Sequence, residues 1–585
     1  MTGAEYIAEF LSRHGCDKVF LLTGGACAFI VDAIARNPKV DYYCFAHEQA
    51  AAMAADATWR VSRNVGVTMA TSGPGATNLL TGIACSYFDS IPSIHITGQV
   101  NLGESAAHLG VRVRQAGFQE ANIVDIARPI TKYAVQVRSG DELRHELFKA
   151  YEIATTARMG PVLIDVPMNV QQEEVGAHID AVPPAAGDTG LDQEEAEILA
   201  NNLTSFLRGS ERPCVLFGAG VSLAGVELEA AKWLEGNRIP FVSSWNALSS
   251  FRHDATNFCG QVGVYGNRGG NYIVQNCDAL LVLGSRLDNR QRSGNTKNFA
   301  PDAKVMVFDV DEEELKKYEA DGYETRCLDL VHLPEILSRT EFSGVAGIWT
   351  EYAAGMKANY FNKDISTYAS RHNTLSPYAV VRQINGLIDE EAIVVADCGA
   401  NLCWVYQSFF RTAQNLFTAG GNSPMGYSLP AAIGAAIEAP NRQIVCFIGD
   451  GGLLLNSQEL QTLVEYDLNI VIVILNNSGY GIIRQFQDNY MDSRHEASGK
   501  GVGLADFSAL VGAYGIDYVR VESVDALTPE LFDRRKAVVI DTILGEGTLI
   551  EPKLEMGRPI NDQSPYVDDA AFEAENQFVT FSRTR

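Results

Sequence analysis

Clustered positive charge is missing from this chain: 46 Lys and Arg stand against 72 Asp and Glu, a formal net charge of −26 at pH 7. A nucleic-acid surface needs grouped Lys and Arg, so that partner is excluded, and the acidic balance mainly favours solubility. Paired cysteines are missing as well. The 11 cysteines are scattered, with no CxxC pair and no zinc-like spacing. Buried reduced thiols are the reading, with Cys85, Cys214, Cys277 and Cys446 in or near apolar runs. No apolar run is long enough for a membrane span, and Met1-Thr2-Gly3-Ala4-Glu5 lacks the basic and apolar regions of a signal peptide. No membrane partner and a cytoplasmic location are expected.

What is present is repeated α/β patterning. A chain of 585 residues is too long for one core, and about three or four domains is the reasonable prior. The first segment alternates the helix Ala4 to His14, the strand Lys18 to Leu22, the helix Phe29 to Ala35, the strand Tyr42 to Ala46, the helix Gln49 to Arg60 and the strand Val65 to Ala70. Gly24-Gly25 and Ser72-Gly73-Pro74-Gly75 make tight turns into helices, which suits either phosphate binding or plain chain reversal. The pattern predicts a doubly wound parallel sheet. It recurs from Pro213 to Asp309 and again from Pro377 to Thr542, so three doubly wound α/β domains are expected. The boundaries read as 1–172, 195–340 and 373–550, joined by linkers 173–194 and 341–372 and followed by a polar surface arm or lid, 551–585.

One stretch is more specific. The apolar run Ile444 to Ile448 stops at Gly449-Asp450-Gly451-Gly452, and the run Ile470 to Leu475 stops at Asn476-Asn477-Ser478-Gly479. Ser457 to Tyr466 has helical spacing, with Leu460, Leu463 and Val464 on one face. That makes a βαβ unit with Asp450 and Asn477 at the carboxyl ends of its strands, where open α/β sheets bind ligands. Gly-Asp-Gly alone is a turn and Asn-Asn alone a loop. A carboxylate and an amide oxygen in one crevice, 27 positions apart in sequence, suit a hard cation such as Mg²⁺.

The Asp450 to Asn477 spacing resembles the diphosphate motif of thiamine-diphosphate enzymes. With Thr23-Gly24-Gly25-Ala26, His47-Glu48-Gln49, Thr71 to Gly75, Thr97-Gly98-Gln99-Val100, Phe118-Gln119-Glu120 and Met425 to Ala435, nearly the whole chain is similar to the pyruvate-decarboxylating branch of that family. Within it the likeness is to the acetohydroxyacid (acetolactate) synthases and their flavin-binding relatives. The resemblance implies a pyrimidine-binding domain, a central FAD-binding domain and a diphosphate-binding domain, in that order. It implies that Asp450, Asn477 and the Gly479 carbonyl hold Mg²⁺, and that the Gly449, Gly451 and Gly452 backbone anchors the diphosphate. Met425 would wedge between the cofactor rings, the carbonyl near Ser423 would accept from the 4′-nitrogen, and Glu48 would bond the aminopyrimidine N1′. Gly25 and Gln119 would line the substrate side.

By the same resemblance FAD would meet Gly218, Gly220, Gly263, Gly266, Arg286, Asp288, Arg290 and Asp309. Glu48 and the diphosphate motif would meet across a subunit interface, so a homodimer is the minimum active unit and a tetramer is possible. The implied function is a carboligase that decarboxylates pyruvate and transfers a two-carbon unit to a carbonyl acceptor. Three departures bear on that acceptor. Phe486 stands where anabolic synthases carry a tryptophan, Asn401 falls in Ala400-Asn401-Leu402-Cys403-Trp404 where they carry Gln-His-Gln, and the loop from Gln99 to Phe118, with His108, is long. They point to a ketone other than 2-ketobutyrate, for instance an activated keto-sugar. The rival readings are a flavin-dependent pyruvate oxidase and an inactive cofactor-binding homologue. His47 and His108 are candidate acid-base groups, whereas His95, in an apolar strand, reads as a satisfied core histidine.

Overall fold

The computed structural model describes residues 1–176, 191–345, 347–361, 375–533 and 536–579. The linker stretch Val182 to Gly187, residues 362–372 of the second connection and the terminal Arg583-Thr584-Arg585 lie outside the described residues.

Three six-stranded sheets carry the chain. The first contains β1 (Lys18–Leu22), β2 (Asp41–Cys44), β3 (Gly66–Ala70), β4 (Ser93–Gln99), β5 (Tyr133–Gln136) and β6 (Pro161–Pro167). The second contains β7 (Pro213–Phe217), β8 (Phe241–Ser243), β9 (Phe258–Gln261), β10 (Ala279–Leu283), β11 (Lys304–Asp309) and β12 (Glu324–Cys327). The third contains β13 (Ile393–Ala396), β14 (Asn415–Phe417), β15 (Ile444–Gly449), β16 (Ile470–Asn476), β17 (Asp517–Val521) and β18 (Val538–Ile543). Every pairing among them is parallel. The apolar runs of β15 and β16 are buried throughout because helices cover both faces of a parallel sheet.

The first and third sheets share one topology, β2-β1-β3-β4-β6-β5 and β14-β13-β15-β16-β18-β17. The middle sheet runs β9-β8-β7-β10-β11-β12, the dinucleotide-binding order. Reversal of strand order therefore opens a crevice between β1 and β3, between β7 and β10, and between β13 and β15. The first and third units pack through the alanine-rich helix Glu48–Ser62 and the helix Ser428–Glu438. A Cβ on Gly434 would stand 2.4 Å from Ala54 O, so the helices approach at backbone distance. Buried Asp56 spans this interface, accepting from Tyr427 Oη at 2.5 Å, Ser86 Oγ at 3.0 Å and Arg60 Nε at 2.7 Å.

Two expectations are corrected. The crossover helix spans only Glu459–Glu465, and Val464, expected inside, is 41% exposed. Its buried stripe centres on Leu460, Leu463 and Glu459, whose carboxylate accepts from Ala46 N and Thr462 Oγ1, and this turns Val464 outward. The expected surface arm is, from Glu551 to Phe578, a strap packed on the middle unit. Ile560, Asn561, Asp562 and Gln563 are buried, Asn271 Nδ2 donates to Ile560 O at 2.8 Å, and Arg268 Nη1 donates to Gln563 O at 2.8 Å. Many of its polar groups face inward onto buried donors and acceptors, so it reads as surface from hydropathy alone.

Cys85, Cys214, Cys277 and Cys446 are buried free thiols, while Cys44 and Cys327 are exposed. Among the described residues no helix is long and apolar enough to cross a membrane.

Candidate active site and cofactor cavity

The crevice between β1 and β3 gathers the first group of expected residues. A Cβ on Gly24 would stand 2.5 Å from Thr71 Cβ, and Ala26 N donates to Thr71 Oγ1 at 3.3 Å. Gly73, at φ 62°, faces Gln119, itself at φ 60°; a Cβ on Gly73 would lie 2.8 Å from Gln119 O. Glu48 opens its helix, where the His47 ring accepts from Gln49 N at 3.1 Å. The Glu48 carboxylate is buried; Oε2 accepts from Asn78 Nδ2 at 2.9 Å, and Oε1 lies 3.1 Å from where a Gly75 Cβ would be. Gly25 sits on the exposed turn after β1 with open space beside it.

The second group lies at the crevice between β13 and β15. The register sets Gly449 opposite Leu475, so Asp450 and Asn477 leave adjacent strands at nearly one level. Asp450 Oδ1 accepts from Gly451 N at 2.6 Å and Oδ2 from Gly479 N at 2.9 Å. Burial raises the Asp450 pKa, and these backbone donors pull it back. Ser478 (φ 58°) and Gly479 (φ 136°) make the turn after β16. Gly481 admits the Asn477 amide, since a Cβ there would fall 2.0 Å from Nδ2. Met425 and the Tyr480 ring crowd Gly451, where a Cβ would meet Met425 Cε at 3.3 Å. Ser423, at φ 51°, donates from its N to Ala419 O at 2.7 Å.

This donor set fits a hard cation. Asn477 Nδ2 is buried without a partner among the described residues; as an N–H donor it is suited to an acceptor such as a diphosphate oxygen, which leaves the amide oxygen for a cation. No group of three or more His, Cys, Asp or Glu among the described residues could hold a metal. One carboxylate, one amide and a carbonyl, with diphosphate oxygens to complete the shell, is how Mg²⁺ is commonly held.

Sequence reasoning missed the supports of this group. Asp397, just beyond β13, is fully buried and accepts from Cys398 N at 2.8 Å, Gly426 N at 3.0 Å, Ser428 N at 3.0 Å and Ser428 Oγ at 3.0 Å. It pins the backbone on the far side of Met425. Arg484 does the same for the other loop, donating to Asn477 O at 3.1 Å and to Ser478 O. An acidic residue directly after a buried strand, two positions before Gly399, was the available signal for Asp397. Asn401, expected at the acceptor, is buried behind Asp397 and accepts from its backbone N at 3.2 Å.

Phe486 lies partly exposed, its ring 4.8 Å from that of Tyr490. His108 is exposed on its loop, its backbone N donating to Ser105 Oγ. His95 is a core residue between Thr68 Oγ1 at 2.7 Å and Ser93 Oγ at 2.9 Å. Among the described residues no hydrogen bond joins Glu48 to the Asp450 group.

A cavity of about 790 Å³ opens at the switch between β7 and β10, where the first, middle and third units meet. Gly220, Arg286, Asp288, Arg290 and Asp309 line it, together with Asp89, Arg158, Trp245 and Gly420. Gly218, Gly263 and Gly266 stand behind the wall: a Cβ on them would strike Gly284 O, Arg290 O and Gly263 N respectively, so they serve close backbone packing. The volume lies within the range of about 300–1,000 Å³ typical of cofactor sites. Glycine turns at two strand ends and three arginines, Arg158, Arg286 and Arg290, fit a dinucleotide carrying phosphates.

Comparison with known proteins agrees with this arrangement. The N-terminal TPP binding domain, the central domain and the C-terminal TPP binding domain of thiamine pyrophosphate enzymes match residues 1–126, 200–324 and 397–542. The acetolactate synthase large subunit of Parasynechococcus marenigrum is 33% identical over 543 residues, 91% of this chain and 85% of its own length. A probable acetolactate synthase large subunit of Methanocaldococcus jannaschii is 32% identical, covering 91% and 89%. The acetolactate synthase isozyme 1 large subunit of Escherichia coli is 31% identical, covering 88% of each. Likeness over nearly full length, on three sheets of matching type, means that the chain belongs to the thiamine pyrophosphate-dependent enzymes, in their acetolactate synthase-like branch.

Proposed function

We propose that this enzyme decarboxylates pyruvate and adds the two-carbon unit to a carbonyl acceptor other than 2-ketobutyrate. Thiamine diphosphate would be held through Mg²⁺ at Asp450, Asn477 and the Gly479 carbonyl, and FAD would occupy the cavity between β7 and β10. The observation that carries the reading is the clamp itself: a buried, backbone-bonded Asp450 beside Asn477, whose NH₂ has no partner among the described residues and suits a diphosphate oxygen, with Met425 packed against Gly451.

When bound, thiamine diphosphate supplies the nucleophilic carbon and the electron sink for loss of CO₂. The chain supplies the rest. Glu48, buried and fixed by Asn78, would hold the proton shared with the aminopyrimidine N1′. Met425 and Tyr480 offer an apolar wall that excludes water from the reacting carbon. Asp397 and Arg484 hold the two loops that carry these groups. Phe486, smaller than the tryptophan of anabolic synthases, leaves room for a bulkier acceptor. A homodimer is part of the proposal. Among the described residues no hydrogen bond joins Glu48 to the Asp450 group, and the loop before Gln119 exposes Leu109, Val113 and Phe118, the last at 83%, a surface suited to a second copy that would complete the site.

The test is carboligation by the holoenzyme with pyruvate and a panel of ketones, keto acids and keto-sugars. CO₂ release with new carbon–carbon products on ketones is expected, and Glu48→Gln should abolish it. Strong selectivity for 2-ketobutyrate with no turnover of other ketones would overturn the acceptor assignment. Bleaching of bound flavin by pyruvate at catalytic rate without oxygen would move the assignment to an oxidase.

A further inference from the structure

The Lys553 ammonium is in direct contact with no carboxylate among the described residues. The residue is 5% exposed, and Nζ has no hydrogen-bond partner among the described residues. A buried cation is kept without a partner where a ligand provides one, because desolvation otherwise makes it costly. Burial and the neighbouring Arg290 charge push the Lys553 pKa down, against the pull of Cys403, Glu555 and Asp488. The last two carboxylates are already engaged, Asp488 by His495 Nε2 at 2.6 Å and Glu555 by Arg558 Nε at 3.9 Å.

The backbone around Lys553 is fixed on every side. Gln407 Nε2 donates to Pro552 O at 2.7 Å, Lys553 exchanges both backbone bonds with Ser564 at 2.9 and 2.8 Å, and Leu554 N donates to Val264 O at 2.9 Å. Val264 N donates in turn to Arg290 O at 2.7 Å. Three residues along the strap, Met556 N donates to Tyr490 Oη at 2.7 Å, and Tyr490 packs on Phe486. Met556 thus ties the strap to the Phe486–Tyr490 wall, and Lys553 feels the charge of Asp488, on the same helix Gly481–Tyr490 that carries both rings; it is not among the residues that line the dinucleotide cavity.

We propose that Lys553 is a specificity-determining residue that binds the anionic group, carboxylate or phosphate, of the carbonyl acceptor. The proposal rests on the carboligase reading of the active site. It gives the strap a function: buried polar contacts hold an ammonium at a set place beside the acceptor wall.

The experiment compares Lys553→Met and Lys553→Arg with the unmodified holoenzyme on three acceptors: a second pyruvate, a nucleoside-diphosphate keto-sugar, and a neutral diketone. Lys553→Met should raise KM for the charged acceptor by about tenfold or more while kcat on the neutral diketone stays within about twofold, and Lys553→Arg should keep most of the affinity. Loss confined to pyruvate identifies a carboxylate, and loss confined to the keto-sugar a phosphate. The thermal midpoint of Lys553→Met should hold or rise, because an unpaired buried cation is removed. Equal KM changes on charged and neutral acceptors, a lowered midpoint with unchanged KM, or weakened FAD binding in place of acceptor binding would each overturn the assignment. Absence of ligation by the unmodified enzyme on every acceptor would instead refute the carboligase reading beneath it.

Discussion

Asp397→Asn isolates what holds the Met425 loop. The carboxylate accepts four donors, Cys398 N and Gly426 N on Oδ1 and Ser428 N and Oγ on Oδ2. An amide keeps one accepting oxygen and must turn its NH₂ toward one pair. Facing Ser428 is the cheaper choice, because the hydroxyl can rotate to accept, but Ser428 N is then a buried orphan at a cost of about 1–3 kcal/mol. The remaining bonds also lose their charge assistance, roughly half their strength. Against this, burial raises the Asp397 pKa, so a neutral side chain recovers some desolvation. A net loss of about 2 kcal/mol follows, concentrated on Gly426 to Ser428.

Because that segment sets Met425, the loss should appear in cofactor binding. Thiamine diphosphate affinity with Mg²⁺ in excess should weaken by about 10- to 50-fold, with about 1.4 kcal/mol per factor of ten. Calorimetric titration reads it directly, and thermal unfolding of the cofactor-free protein reads how local the damage is. A dissociation constant within about twofold of the unmodified protein, at unchanged stability, would refute the claim that Asp397 positions the loop.

Three further outcomes follow from the packing. Gly451→Ala would place a Cβ 2.4 Å from Tyr480 Cε1 and 3.3 Å from Met425 Cε, so the ring must move; overpacking of about 1–3 kcal/mol should again weaken thiamine diphosphate binding, by the same titration. Leu463→Ala should cost about 2–5 kcal/mol in urea unfolding, whereas Val464→Ser, on the outward side of the same helix, should stay within about 0.5 kcal/mol. Asp165, buried with Thr97, Gln99 and Gln136 as donors, has its pKa raised to about 6, chiefly by burial. A raised carboxylate pKa means the native state holds its proton while the unfolded chain has lost it, so stability falls as pH rises from about 4 through 6. The stability of the unmodified protein relative to Asp165→Asn should therefore be greater at pH 5 than at pH 7.5, by about 1.4 kcal/mol, and a flat difference would contradict the assignment.

The strand positions and the doubly wound class were legible because they rest on local signals. Continuous apolar runs ending at glycine or asparagine mark buried parallel strands, and β7, β10 and β15 lie where those runs lie. The same signals marked Asp450 and Asn477 as residues leaving two neighbouring strands, and the register bears that placement out. Strand order was not legible. It depends on pairing between segments far apart in sequence, and it alone puts crevices between β1 and β3, β7 and β10, and β13 and β15. Asp397 is one acid after one strand until Gly426 and Ser428 fold over it. Gly218, Gly263 and Gly266 belong to the same glycine-rich pattern as Gly220, yet only backbone proximity in the fold separates packing from lining.

The sequence by itself determined the alternating elements, the two turns that carry the clamp and the family likeness, because each is a property of neighbouring residues. The tertiary structure decided which face of the crossover helix is buried, that the acidic strap folds back onto the middle unit, and that Lys553 Nζ is left without a hydrogen-bond partner among the described residues. Those outcomes depend on which distant groups supply hydrogen bonds and exclude water, and that is settled only when the three sheets are packed together.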